Sequence, residues 1–267
     1  MTTRILHLNK DAAAPVGLPT SAKFRLLPPS GIRLDADHVT IASGKVNEFV
    51  NMINGQLYGA NSNMDIATVM ALNGVNVAQF DPTLAVTPTG YTMQNFGFGG
   101  LNTGQYTFAA MWKVTDAFAG GKTRENISVA YLTTTTVQRA TLREDASGIP
   151  QARAQRTTAA AAAVVSIAEP VRIGGWLAAA AVFDWTNNLV TIHDLLGTES
   201  VSAAVAGTSG TAPSDISAYR LGWLGAATND QFVGQLADYV HLPYVPTASD
   251  LLALRLHMQA RANDLAA

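Results

Sequence analysis

The chain has 267 residues, of which 48% are hydrophobic and only 13% charged; 17 Lys and Arg stand against 19 Asp and Glu, a formal net charge of −2. With that net charge and an isoelectric point near 6.2, it lacks the global electrostatic footprint of nucleic-acid binding, and no nucleic-acid partner is expected. The absence of cysteine excludes disulfides, a thiol nucleophile and cysteine-bound zinc, and the longest apolar stretch, 159–183, is broken by Glu169, Pro170 and Arg172, so no membrane insertion is expected.

Residues 1–30 combine a short strand-like stretch at 4–8, an Ala/Pro-rich stretch at 11–19 and Phe24-Arg-Leu-Leu-Pro-Pro29. They read as an N-terminal arm that packs on its own domain or docks on a neighbouring chain. Residues 31–267 read as one domain, because all-β sandwiches of this length commonly form one. The N-terminus has no basic region, apolar stretch and small-residue cleavage site of a secretory signal. A protein kept in the cytoplasm, or leaving it within something assembled there, is the expectation.

From Gly31 onward, short apolar segments at 75–80, 106–114, 127–133, 137–145, 149–156, 176–183 and 189–193 recur between turn signals. That spacing predicts an all-β, two-sheet antiparallel sandwich or jelly roll. The alanine tract 159–163 has helix propensity, but Val164-Val-Ser-Ile167 and Pro170 after it favour a short strand or an irregular segment. Two further strands, 216–224 and 231–242, flank the turn-rich 225–230. A single helix follows over about 250–262, capped by Thr247 or Ser249, with Leu251, Leu252, Leu254 and Met258 near helical spacing.

In this order the segments resemble the concanavalin A-like lectin/glucanase superfamily, in the laminin-G-like form common in bacteriophage and bacterial proteins. Leu34-Asp-Ala-Asp37 is similar to the opening strand, and Gly44-Lys-Val46 with Asn51 to the segment after it. Asn73-Gly-Val-Asn-Val-Ala-Gln-Phe-Asp81 and Tyr106-Thr-Phe-Ala-Ala-Met-Trp-Lys-Val114 look like the next two strands. Trp176-Leu-Ala-Ala-Ala-Ala-Val-Phe-Asp184, Trp185-Thr-Asn-Asn188 and 189–193 resemble the central hairpin; Phe232-Val-Gly-Gln-Leu-Ala-Asp-Tyr-Val240 and the capped helix resemble the closing elements. The resemblance spans roughly residues 31–262 and implies two curved antiparallel sheets, often with a carbohydrate-binding role, although fold alone does not assign function.

The hydrolases of that superfamily carry carboxylates at alternate positions of one strand, set for acid and nucleophile work. Glu48, Glu125, Glu144, Glu169 and Glu199 lie far apart and form no such pattern, so a non-enzymatic protein is expected. His7, His38, His193, His241 and His257 have no zinc-ligand spacing, and no cofactor is expected. Asp35, Asp37, Asn229, Asp230 and Asp238 offer oxygens to a structural calcium or simply build turns. The glycines of Phe96-Gly-Phe-Gly-Gly-Leu-Asn-Thr-Gly104 lack the Lys and helix of a phosphate loop.

Two regions are candidate ligand sites. Residues 137–145 and 149–156 predict a hairpin around Ala146-Ser-Gly148. Its register sets Arg143 opposite Gln151, Thr141 opposite Arg153 and Arg139 opposite Gln155, all on the face away from Ala140, Leu142, Ala152 and Ala154. Arg139, Arg143 and Arg153 then form an outward cationic patch for carboxylates or sulfates, or an ordinary solvated face. In the second region, Trp185 beside Asn187 and Asn188 has the chemistry of a sugar site, an aromatic plate with amides; the two asparagines suit a tight turn equally well. Trp223 is open between strand core and sugar plate, and Trp112 and Trp176 read as core.

Taken with the resemblance, these features lead to the expectation of a virion module made in the host cytoplasm: a fibre, spike or decoration protein. Its partners would be other virion proteins and sister subunits held through the arm, with a host surface glycan as a further ligand. A homo-oligomer is expected. The alternatives are a purely structural capsid or tail subunit and a polysaccharide-cleaving enzyme.

Overall fold

The computed structural model describes residues 31–59, 67–80, 91–92, 104–115, 124–132, 137–207, 213, 216, 218–222 and 232–267. The arm at 1–30, Trp223, Asn229 and Asp230 lie outside the described residues. Strands are numbered in chain order. One sheet contains β1 (Ile32–Asp35), β5 (Ala67–Leu72), β6 (Val75–Phe80), β8 (Gln105–Val114), β13 (Leu177–Asp184), β14 (Leu189–Asp194), β15 (Ser200–Ala204) and β17 (Gly234–Leu242). They run in the order β15-β14-β13-β8-β17-β6-β5, with β1 also on β17. The second sheet orders β12 (Ala163–Ser166), β11 (Pro150–Ala154), β10 (Val137–Asp145), β9 (Arg124–Leu132), β16 (Ala218–Leu221) and β7 (Tyr91–Thr92). A small third sheet joins β2 (Val39–Ala42), β3 (Lys45–Val50) and β4 (Leu57–Gly59). All strand pairs among the described residues are antiparallel. The fold is the expected all-β sandwich of the jelly-roll class with one C-terminal helix.

The two large sheets enclose a core built from alternate residues. From the first sheet come Tyr106, Phe108, Trp112, Leu177, Phe183, Ile192 and Tyr239; from the second come Ile127, Ala130, Ala140, Leu142, Ala152, Val165 and Tyr219. His241 belongs to the same interior, its ring 5.0 Å from that of Phe108 and 4.9 Å from that of Tyr219. Burial there depresses its pKa to about 3, so it is neutral at physiological pH.

The opposite face of the first sheet is also buried. Ala109, Ala178, Ala180 and Ala237 present small side chains, and helix α1 (Ala248–Ala266) lays Leu254, Met258, Ala262 and Leu265 over them. β13 and β17 are therefore buried at every position. The helix starts where expected: Thr247 accepts from Asp250 N at 3.2 Å, and the Asp250 carboxylate accepts from Thr247 N at 2.9 Å, a reciprocal cap. It runs beyond the expected end, and Leu252 faces solvent at 57% exposure.

Of the two strands expected at 216–224 and 231–242, β16 pairs with β9 in the second sheet and β17 with β8 in the first, so they belong to different sheets; residues 223–231 lie outside the described residues. The alanine tract leads into strand β12, not a helix.

A buried ion cluster fixes the helix to the sheet. Asp238, 1% exposed, accepts from Arg33 Nη2 at 3.5 Å and pairs closely with His257 Nε2 of α1. Burial pushes the Asp238 carboxyl up, but the charges of His257 and Arg33 outweigh it and hold the pKa down to about 2. Asp35 is occupied by its own turn, accepting from Asp37 N at 3.0 Å and His38 N at 3.1 Å. These calcium candidates thus have protein partners, and no three His, Asp or Glu side chains converge on a metal position among the described residues.

Two outcomes follow. Thr247→Ala lowers unfolding stability by about 1 kcal/mol in urea titration, the usual cost of losing a helix cap. Asp238→Asn costs about 3–5 kcal/mol at neutral pH, because it strands buried cationic partners. A depressed folded pKa contributes stability above the unfolded value near 3.8 and loses it toward about 2. The gap between Asp238→Asn and the parent protein therefore narrows as the pH of the urea titration falls through that window.

Candidate functional site

The predicted hairpin forms with the expected register: Thr141 faces Arg153, Leu142 faces Ala152 and Arg143 faces Gln151, and Gln155 N donates to Arg139 O at 2.8 Å. Gly148 takes a positive φ of 78° in its loop. Asp145 Oδ1 accepts from Ser147 N at 2.9 Å and Ile149 N at 3.0 Å, which closes the turn. Ala140, Leu142, Ala152 and Ala154 are buried in the core, so Arg139, Arg143 and Arg153 do lie on the outer face of the second sheet.

That face is less open than expected. Arg139 is 2% exposed and Arg143 is 7%; Arg153, Gln151 and Gln155 are half-buried. The expectation of three solvent-facing guanidinium groups is corrected to a recessed polar layer, in which Arg153 is the most accessible cation. Its donors are held in place. Arg143 Nε donates to Gln151 Oε1 at 3.0 Å, and Gln151 Nε2 to Asp145 Oδ2 at 2.8 Å. Arg153 Nη1 donates to Gln138 O at 2.8 Å and Nη2 to Gln155 Oε1 at 2.6 Å. Arg139 Nη2 donates to Thr158 Oγ1 at 3.3 Å.

One residue of this layer escaped the sequence reading. Asn126 of β9 pairs across the ladder with Arg143, after a register shift between Leu142 and Arg143. Asn126 is fully buried, and neither its amide nitrogen nor its carbonyl oxygen has a hydrogen-bond partner among the described residues. A buried polar group left in that state costs about 1–3 kcal/mol. The shift breaks strict alternation along β9, so Ile127 and Ser128 both serve the interior, Ser128 bonding Tyr239 at 2.9 Å. Counting by twos along the sequence therefore misplaces Asn126.

The other side of the hairpin is tied to its surroundings by Glu144, 3% exposed. Its Oε2 accepts from Trp112 Nε1 at 2.6 Å and its Oε1 from Arg172 Nη2 at 3.3 Å. Burial raises its pKa against the lowering effect of Trp112 and Arg172. Arg172 also donates to Gly148 O at 2.5 Å, so the pair clamps the hairpin loop from below.

The second candidate region is corrected. Trp185 is 1% exposed, stacked on Phe183 at 6.3 Å and 18°, with the Arg156 guanidinium 5.4 Å from its ring centre. A ring so enclosed cannot receive a sugar from solvent. Trp185 N donates to Gly104 O at 2.9 Å, which continues the strand one residue past β13 and keeps the ring in phase with Phe183 on the core side. Asn187 serves the turn through Asp184, by N at 3.1 Å and Nδ2 at 2.7 Å. Asn188 takes a φ of 55°, and its Oδ1 accepts from Arg156 Nη2 at 2.5 Å. This constellation locks the β13–β14 turn. Trp112 and Trp176 are core residues, as expected.

No protein-family model and no curated protein matches the sequence. Among solved structures the chain is similar to the Trypanosoma rangeli sialidase in complex with the inhibitor DANA, at TM-score 0.56 and 13% identity over 84% of this chain and 32% of that one. The same sialidase in complex with 2,3-difluoro-KDN matches at TM-score 0.51 and 13% identity, covering 86% and 33%. The Ruminococcus gnavus IT-sialidase CBM40 bound to alpha2,6 sialyllactose matches at TM-score 0.43 and 16% identity, covering 56% and 82%. The chain thus spans about a third of the length of the sialidase it resembles, and at this identity the likeness is one of fold: an antiparallel β-sandwich of the jelly-roll class.

Proposed function

We propose that this protein is a non-enzymatic sandwich module that binds an acidic glycan, one bearing carboxylate or sulfate groups, on the outer face of the second sheet. The observation that carries this reading is Asn126, buried beside Arg143 with both ends of its amide unused among the described residues. A saccharide hydroxyl both donates and accepts, and so satisfies such an amide. The adjoining guanidinium groups contribute fixed positive charge that favours an anionic substituent. Gln151, Arg153 and Gln155 are already oriented by their own bonds, which limits the ordering cost of binding. Because Asn126 and Arg139 lie below the surface, a ligand reaches them with side-chain rearrangement above them, a common accompaniment of binding.

Within the same reading the module sits on a virion as a fibre, spike or decoration protein, with host surface glycan as ligand and sister chains and virion proteins as partners. The support is the sequence resemblance to phage-borne domains of this kind. The reading of a purely structural subunit is favoured by the third sheet, where Ile41 and Leu57 are 58% and 50% exposed.

Screening the full-length protein on a glycan array at two salt concentrations tests the proposal. Salt-sensitive binding to carboxylated or sulfated glycans is expected, and it weakens about 10- to 100-fold in Arg153→Ala, the usual scale for one charge-assisted hydrogen bond. Asn126→Leu, which fills the position without polar atoms, is expected to lose binding while remaining folded. A well-folded protein that binds no acidic glycan would favour the structural-subunit reading, and release of reducing ends from acidic polysaccharides would contradict the non-enzymatic one.

A further inference from the structure

Along one rim of the sandwich β12 and β15, the edge strands of the two large sheets among the described residues, lie beside each other. An edge strand presents unpaired backbone donors and acceptors, and proteins usually guard such edges with charges, Pro or bulges. This rim has none of them. Residues 157–166 and 200–207 contain no charged residue and no Pro, and neither edge pairing shows a register shift.

The phase of the hydrogen bonds identifies which groups face outward. Asp194 N donates to Glu199 O at 2.9 Å, and Val205 N to Asn188 O at 2.8 Å. In an antiparallel ladder, bonded and non-bonded pairs alternate. In the register of β14 with β15, Val201 and Ala203 therefore bond inward, and the backbone groups of Ser200, Ser202 and Ala204 point away from the sheet. On β12, Ile167 N donates to Pro150 O at 3.2 Å, which by the same alternation turns Val164 and Ser166 outward. The side chains at this rim are small: Ser200, Ser202, Ala204, Ala159, Ala161 and Ala162 are exposed. Only Val164, at 43% exposure, is large and apolar.

We propose that this rim is a self-association surface, on which β15 pairs antiparallel with β15 of a second copy of the chain. The occupant follows from the chemistry. An antiparallel edge is its own complement about a twofold axis, no charges oppose one another across it, and Ser and Ala side chains allow the roughly 4.8 Å strand spacing that pairing requires. Five residues extend about 17 Å, and sheets pack about 10 Å apart, so the strands offer on the order of 200 Å² per copy, against roughly 800 Å² for a standard interface. The dimer is therefore reversible and depends on concentration. At the opposite ends of the two sheets the edge strands are β5 and the two-residue β7, and β3 of the third sheet packs against β5.

Sedimentation velocity of the full-length protein from low micromolar to near-millimolar concentration, paired with hydrogen exchange at both ends of that range, tests the proposal. The average mass is expected to rise toward twice the monomer value. The amides of Ser200, Ser202 and Ala204 are expected to gain protection with concentration, while those of Val201 and Ala203 are protected throughout. Ser202→Pro removes an outward N–H without touching the β14 ladder; in the register that engages all three outward residues Ser202 faces Ser202, so Ser202→Lys sets like charges directly opposite each other at the axis. Each is expected to weaken association by on the order of tenfold or more while the inward amides stay protected. A monomer at every concentration would overturn the proposal. So would a dimer that both folded variants form as readily as the parent, with unchanged exchange at the three outward amides.

Discussion

Everything else in the molecule depends on the centre of the first sheet being buried on both faces. β8, β13 and β17 turn aromatic and bulky residues such as Tyr106, Phe108, Trp112, Phe183 and Tyr239 toward the second sheet. Toward the helix they turn Ala109, Ala178, Ala180 and Ala237. The large side chains fill the space between two sheets, and the small ones let a helix approach closely enough to exclude water from the other face. The Thr247 cap and the Asp238–His257–Arg33 cluster then set where that helix begins and how it is rotated. With both faces of one sheet committed to packing, the outer face of the second sheet is free to carry polar groups.

How much of this was legible in the sequence varies by element. The β10–β11 hairpin was readable to its register, because Ala146-Ser-Gly148 is a recognisable turn and alternation on either side is unbroken. The terminal helix is readable from Thr247 and its spacing, although its end is not: Asn263 and Asp264 are weak helix formers, yet the helix continues through them and buries Leu265. The separation of β16 and β17 into different sheets was not readable. Two strands joined by a turn look alike whether they pair or cross a sandwich, and only their long-range partners, β9 and β8, distinguish the cases.

The candidate site divides in the same way. The arginines were assigned to the correct face, but their burial was not foreseen, because exposure depends on everything packed above a face as well as on its phase. Trp185 was misread through its neighbours: Asp, Thr and two Asn suggest an open loop. Its position two residues after Phe183 already carried the core phase, and the bond to Gly104 preserves it. Asn126 was hidden by the irregularity in β9, which no count by twos reveals. Sequence pattern thus places side chains where ladders are regular, and fails where a bulge changes the phase or a strand continues into residues that read as a loop.

The proposed site is the recessed layer around Asn126, with an anionic saccharide as its ligand. An isotope-edited NMR titration of the full-length protein with a uronic-acid oligosaccharide tests it most directly, with the neutral parent sugar as control. The side-chain amide resonances of Asn126, Gln151 and Gln155, and the Arg153 guanidinium signals, should shift together and saturate only with the acidic sugar. Shifts confined to other surfaces, or equal responses to both sugars, would contradict it.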